Sequence, residues 1–111
     1  MTRSLILYVN NSQKYLEKVL KCILEQIDET QEELIIIDDC STDDSVPIIV
    51  NTIGLNFTDE EHYKFFINMN KKGKKDSIKM GKQIAKGDFK FIINKKRRFK
   101  LNWYRLKMLK N

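Results

Sequence analysis

Proline, tryptophan and histidine each occur once in the 111 residues, cysteine twice and glycine four times. A lone His62 with well-separated Cys22 and Cys40 lacks the ligand spacing of a zinc site, so a structural metal of that kind is not expected. Long apolar runs are also missing. The opening MTRSLILYVN has one basic side chain and an apolar run only from Leu5 to Val9, shorter than a signal-peptide core or a bilayer crossing. We therefore expect no membrane span, reduced thiols and a cytoplasmic protein. Acids are scarce in one half. Residues 1–61 hold 13 Asp+Glu against 4 Lys+Arg, whereas residues 62–111 hold 2 against 17, and the sum is +6. A division of that size either holds two halves of one fold together or marks the basic half as a site for phosphates. At 111 residues, 41% apolar and 32% charged, the chain makes one small globular domain, residues 1–111, without a second lobe.

What is present centres on Glu33 to Ser45, ELIIIDDCSTDDS. Leu34 to Ile37 is too short for a helix and rich in β-branched residues, which predicts a strand buried on both faces and ending at Asp38 and Asp39. The turn and cap residues that follow close the strand and start a helix. Two carboxylates at the carboxyl edge of an α/β sheet are candidates to contact a ribose, a base N–H or a metal. Their plainer reading is that they cap the next helix.

In chain order, Ser4 to Val9 is a second buried strand, followed by Asn10, Asn11 and Ser12 as N-caps of a helix from Lys14 to Gln26. Its apolar stripe is Tyr15, Leu16, Val19, Leu20, Ile23 and Leu24. Asp28 to Glu33 is a polar connector, so the opening is β-α-β with parallel strands. Val46, Ile49, Val50 and Ile53 mark a second helix with Pro47 in its first turn and Gly54 at its end. The segment Leu55 to His62 is a loop, and Tyr63 to Met69 a third strand. The basic NKKGKK of residues 70–75 precedes a helix near Asp76 to Lys86, with a stripe of Ile78, Gly81, Ile84 and Ala85 and with Gly87 as its C′ residue. A fourth strand spans Asp88 to Asn94, then Lys95, Lys96, Arg97 and Arg98. Phe99 to Leu109 suggests a further helix.

Three segments together resemble family 2 glycosyltransferases. IIIDDCSTDDS is similar to the family's strand ending in Asp-Asp-Gly-Ser-Thr-Asp, SLILYVNNSQKYL to its opening Ser-Val-Ile-Ile-Pro-Val-Tyr-Asn with Lys-Tyr-Leu, and IAKGDFKFI to its Ala-Lys-Gly-Glu-Tyr. The order and spacing agree over most of the chain. The resemblance implies a Rossmann-like GT-A fold, a three-layer α/β/α arrangement with a mostly parallel sheet, incomplete relative to the full family domain because the acceptor-binding half is absent. It also implies a nucleotide-sugar partner such as a UDP-sugar. Asp39 matches the family aspartate that bonds the nucleobase, Asp38 is its neighbour, and Tyr8 occupies a strand-end position that borders the base.

The departures matter as much. Cys40 stands where the family has glycine, and the family's Asp-x-Asp falls on Asn94-Lys95-Lys96. Family members hold Mn²⁺ or Mg²⁺ with that motif. Lysine and arginine cannot ligate a hard cation, so we expect no metal cofactor. Lys95, Lys96 and Arg97 become candidate diphosphate contacts, since both side chains bind phosphate directly. The leading expectation is a glycosyltransferase-like protein supplying the donor-nucleotide half of sugar transfer. The alternative is a catalytically inactive nucleotide- or protein-binding module derived from that fold. A protein partner or a homo-oligomer stays open, and nucleic acid ranks last for want of a recognition motif.

Overall fold

A computed structural model describes residues 2–54 and 62–93. Most of the expected loop at 55–62, the strand end at Asn94, the cations Lys95 to Arg98 and the helix at 99–109 lie outside the described residues. Within them, strands and helices alternate as β1 (Arg3–Val9), α1 (Leu16–Gln26), β2 (Glu32–Asp39), α2 (Ser45–Gly54), β3 (Tyr63–Asn68), α3 (Lys74–Ile84) and β4 (Phe89–Ile92). The strands pair in the order β3-β2-β1-β4, all parallel. The α/β class is as expected, and the described sheet is wholly parallel.

Alternation along the strands divides the core. Leu5, Leu7, Val9, Leu34 and Ile36 face α1 and α2, where Leu16, Val19, Leu20, Ile23, Ile49 and Ile53 complete one cluster. Ile6, Ile35 and Ile37 face the other way, against Met80, Ile84 and Ala85. Every residue of β2 is buried, which is why its apolar residues run without alternation. Each fully buried Leu or Ile stabilises the fold by about 1.5–3 kcal/mol. The chain steps from β1 to β2 to β3, and α3 then returns it to the far side of β1. The connection from β1 to β2 through α1 and that from β3 to β4 through α3 thus diverge on opposite faces of the sheet, which opens a crevice at the carboxyl ends of the strands.

Several boundaries moved for physical reasons. Glu32 and Glu33, expected in a connector, begin β2 as buried residues. Each is neutralised: Arg3 Nε reaches Glu32 Oε2 at 2.8 Å, and Lys64 Nζ reaches Glu33 Oε1 at 2.7 Å. Asn10, Asn11 and Ser12 do not cap α1. The helix begins at Leu16 after Tyr15, which makes no side-chain capping bond. In α2, Val50 is 53% exposed while Ile48 packs against the core in its place. Gly87 does not form a left-handed helix cap, since α3 ends at Ala85 in extended backbone. Gly87 is instead required by crowding, because a Cβ there would lie 2.5 Å from Ser4 Oγ and 2.7 Å from the backbone of Arg3 and Ser4.

Candidate functional site at the carboxyl edge

Tyr8, Asp39 and Asn68 fall on the α3 face of the sheet at its carboxyl end, because each keeps the parity of Ile6, Ile37 and Lys64 along its strand. Asp39 is fully buried. Its Oδ2 accepts hydrogen bonds from the Tyr8 hydroxyl at 2.8 Å and the Gly73 N–H at 2.9 Å. Its Oδ1 accepts from the Lys72 N–H at 2.8 Å and Asn68 Nδ2 at 3.2 Å. The Asn68 amide also donates to Ser77 Oγ of α3 at 3.1 Å, and the Asp39 carbonyl accepts from Asn10 Nδ2 at 2.7 Å. Burial alone would raise the Asp39 pKa. The donors from Lys72, Tyr8, Asn68 and Gly73 outweigh it and hold the carboxyl below the usual aspartate value. The Tyr8 phenol is pushed up to about 12, first by burial and then by Asp39 and Asp38.

Asp39 therefore does not cap α2, the helix that follows it. It clamps the loop before α3. A carboxylate of the same strand does the corresponding job at the other end of that helix, where Glu33 Oε2 accepts from the Lys86 N–H at 2.6 Å and from Ser4 Oγ at 2.6 Å, and Ser4 Oγ accepts from the Gly87 N–H at 2.8 Å. Asp38 serves the strand end, its carboxylate accepting from Ser41 N–H at 3.1 Å and Ser41 Oγ at 2.6 Å.

The loops after β1 and β2 are stitched together. Asn11 Oδ1 accepts from the Thr42 N–H at 2.8 Å and the Asp43 N–H at 3.2 Å, and the Asp43 carboxylate accepts from the Gln13 and Ser45 N–H groups at 3.2 and 2.9 Å. Asn11 serves this stitch, Asn10 Nδ2 donates to the Asp39 carbonyl and Ser12 Oγ to the Asn10 carbonyl, so all three side chains are engaged away from the start of α1. Cys40 has φ 55°, in the left-handed region that favours glycine. A side chain at that turn costs about 1 kcal/mol relative to glycine.

Lys71, Lys72, Lys74 and Lys75 are exposed on the loop and first turn beside Asp39. The sequence marks them as a basic loop but carries no signal that ties them to Asp39. Structure brings them to the edge that carries Tyr8, Asp38 and Asp39, whereas Lys95, Lys96 and Arg97 lie outside the described residues. This edge can present cations to an anion, an aromatic ring to a planar group, and the Asp39 carboxylate to an N–H that displaces one of its donors. Asp38 and Asp39 are surrounded by N–H and O–H donors, and no group of three or more His, Cys, Asp or Glu among the described residues could hold a metal.

The family model described as Glycosyl transferase family 2 matches residues 4–95. A search of curated protein sequences finds no match. Among solved structures, S. aureus TarS 1–349 in complex with UDP aligns with a TM-score of 0.71 at 24% identity, covering 86% of this chain and 27% of that one. The glucosyl-3-phosphoglycerate synthase of Mycobacterium tuberculosis, in complex with Mn²⁺, UDP and glucosyl-3-phosphoglycerate, gives 0.67 at 22% identity, covering 85% and 33%. The mannosyltransferase PcManGT from Pyrobaculum calidifontis, in complex with GDP-Man and Mn²⁺, gives 0.67 at 17% identity, covering 78% and 25%. This chain thus spans a quarter to a third of the length of these structures. Identities at this level establish a shared fold. No helix among the described residues is long and apolar enough to cross a membrane.

Proposed function

This chain belongs to glycosyl transferase family 2, and on that premise we propose that it binds the nucleotide of a nucleotide-sugar donor at its carboxyl edge, as the donor half of sugar transfer. The observation that carries the reading is the clamp of Asp39 by Tyr8 and by the Lys72–Gly73 backbone. It places a carboxylate, an aromatic side chain and a basic loop at the crevice where α/β sheets take ligands. UDP or a UDP-sugar is the first ligand to test, since two of the similar structures hold UDP.

In this reading the base lies against Tyr8 and offers an N–H to Asp39, with Asp38 shaping the turn beneath it. The diphosphate meets Lys71, Lys72 and Lys74, joined by Lys95, Lys96 and Arg97, which follow β4 in sequence. Lysine and arginine neutralise a departing diphosphate by direct charge-assisted hydrogen bonds. No step is assigned to a metal. A cytoplasmic setting suits the two free thiols, Cys22 and Cys40.

Thermal-shift measurements with nucleoside diphosphates and nucleotide sugars test the reading, because a ligand of the native state alone raises the melting temperature by mass action. Stabilisation by at least one such ligand, lost in Tyr8→Ala, is the expected result. No shift with any of them at concentrations that saturate ordinary nucleotide sites contradicts it.

A further inference from the structure

We propose that the open edge of β3 is an interface for a second copy of this chain, which pairs with it antiparallel about a twofold axis at Phe66. The Leu34 N–H donates to the His62 carbonyl at 2.7 Å. In a parallel ladder the bonding residues of a strand alternate, so Lys64, Phe66 and Asn68 turn their backbone groups towards β2. Phe65 and Ile67 turn theirs away from the sheet. β3 is the end of the described sheet, so those N–H and C=O groups line its edge.

The strand lacks the usual protections of an edge, which are charge, proline and bulges. Its sequence YKFFIN has no proline, and its register against β2 runs unbroken from Tyr63 to Asn68. The single charge, Lys64, is turned inward onto Glu33 with its side chain 16% exposed. Phe66, Ile67 and the following Met69 are 37%, 47% and 82% exposed. β4, at the other end of the described sheet, contributes no exposed large apolar side chain.

Charge selects a second copy as the occupant and sets its direction. Glu29 stands at the start of β3, its Oε1 accepting from the Tyr63 hydroxyl at 2.8 Å. The exposed Lys71 and Lys72 follow its end. Antiparallel self-pairing sets the end of β3 that carries Glu29 level with the end that carries Lys71 and Lys72 in the other copy, whereas parallel pairing sets like ends together. With Phe66 facing Phe66, each Phe65 exchanges both backbone hydrogen bonds with Ile67 of the second copy. Met69 then covers Tyr63 on the same face. An aromatic pair on the axis and apolar pairs on either side make the edge complementary to itself.

Sedimentation velocity of the full chain over roughly a hundredfold range of concentration tests this. The expected result is a monomer–dimer equilibrium that weakens as NaCl rises and whose dissociation constant increases at least about tenfold in Ile67→Lys. In a Cys22→Ser, Cys40→Gly background, Phe66→Cys should cross-link on oxidation and Ile67→Cys, which faces Phe65, should not. A monomer at every concentration overturns the proposal. So does a dimer whose dissociation constant Ile67→Lys leaves unchanged, or equal cross-linking at positions 66 and 67. Should Ile67→Lys fail to fold, the cysteine pair decides.

Discussion

The Tyr8 hydroxyl donates to Asp39 Oδ2 at 2.8 Å, joining the ends of two neighbouring strands under the loop that starts α3. Because Asp39 is fully buried and accepts from four donors, its removal takes this acceptor from the Lys72 and Gly73 N–H groups and from the Tyr8 hydroxyl, and leaves Asn68 with its bond to Ser77. Asp39→Ala should cost about 3 kcal/mol or more, against about 1 kcal/mol for Tyr8→Phe, which removes a single donor. Urea unfolding of the two single variants and the double variant gives the coupling directly. A coupling energy near zero would mean that the pair contributes nothing beyond its separate parts.

The pH profile of stability should have a limb for each kind of group. Asp39, Asp43 and Glu33 are all held below their ordinary values, by hydrogen bonds that outweigh burial. Their contribution is complete above the unfolded values near about 4 and is lost as pH falls through the lower folded values. Tyr8 is shifted the other way, to about 12 from 10.0. Its neutral form is favoured in the folded state, so its contribution is complete below about 10 and disappears as pH rises towards about 12. Urea midpoints across pH should therefore show that Tyr8→Phe loses part of the alkaline fall, and also part of the acid limb, since the Tyr8 hydroxyl is one of the donors that hold Asp39 low. Superimposable alkaline limbs would show that the phenol is not shifted.

Two glycines and one left-handed cysteine should respond in a fixed order. In Gly87→Ala the new Cβ meets backbone at 2.7 Å, which can yield only by separating β4 from β1, so a loss of about 3 kcal/mol is expected. In Gly81→Ala it meets side-chain methyl groups, Ile37 Cδ1 and Ile6 Cγ2, at 2.9 Å. Those can turn, and alanine favours the helix by about 1 kcal/mol, so the net loss should stay under about 2 kcal/mol. Cys40→Gly relieves a left-handed side chain at φ 55° and should stabilise by about 0.5 kcal/mol, once the added freedom of the unfolded chain is subtracted. Calorimetric melting of the three variants checks the order.

The sequence already displayed β2, since four consecutive β-branched and leucine residues between polar flanks admit few other readings. Helix stripes were legible for the same reason, down to Leu16, Val19, Leu20 and Ile23 in α1. Glu32 and Glu33 were not, because a charged residue reads as solvated until its partner is known, and Arg3 and Lys64 lie 29 and 31 residues away. Asp39 was legible as a strand-end carboxylate at the carboxyl edge. Its partners were hidden, because Lys72 and Gly73 donate through backbone that carries no sequence signature. Local rules favour Gly87 as a helix cap, whereas the contact with Ser4 that requires it spans 83 residues.

Diphosphate binding through lysines carries its own expectation. Affinity for a nucleoside diphosphate should fall as salt rises, because exposed ion pairs are screened over about 10 Å at roughly 0.1 M and over about 3 Å at roughly 1 M. It should also weaken in Lys71→Ala and in the pair Lys95→Ala, Lys96→Ala, and stay unchanged when Mn²⁺ is added at constant ionic strength. Isothermal titration checks all three. A clear gain with Mn²⁺ would require metal ligands that the described carboxylates do not provide.

Nucleotide binding at the carboxyl edge is tested most directly by mapping backbone amide shifts while UDP and UDP-sugars are titrated into the labelled chain. The expected result is saturable movement confined to Tyr8–Asn10, Asp39–Ser41 and Asn70–Lys74, with the Lys72 and Gly73 amides changing most as their bonds to Asp39 are disturbed. Saturable shifts gathered instead at the amino edge, around Glu33, Lys86 and Gly87, or no saturable shifts with any nucleoside diphosphate, would contradict it.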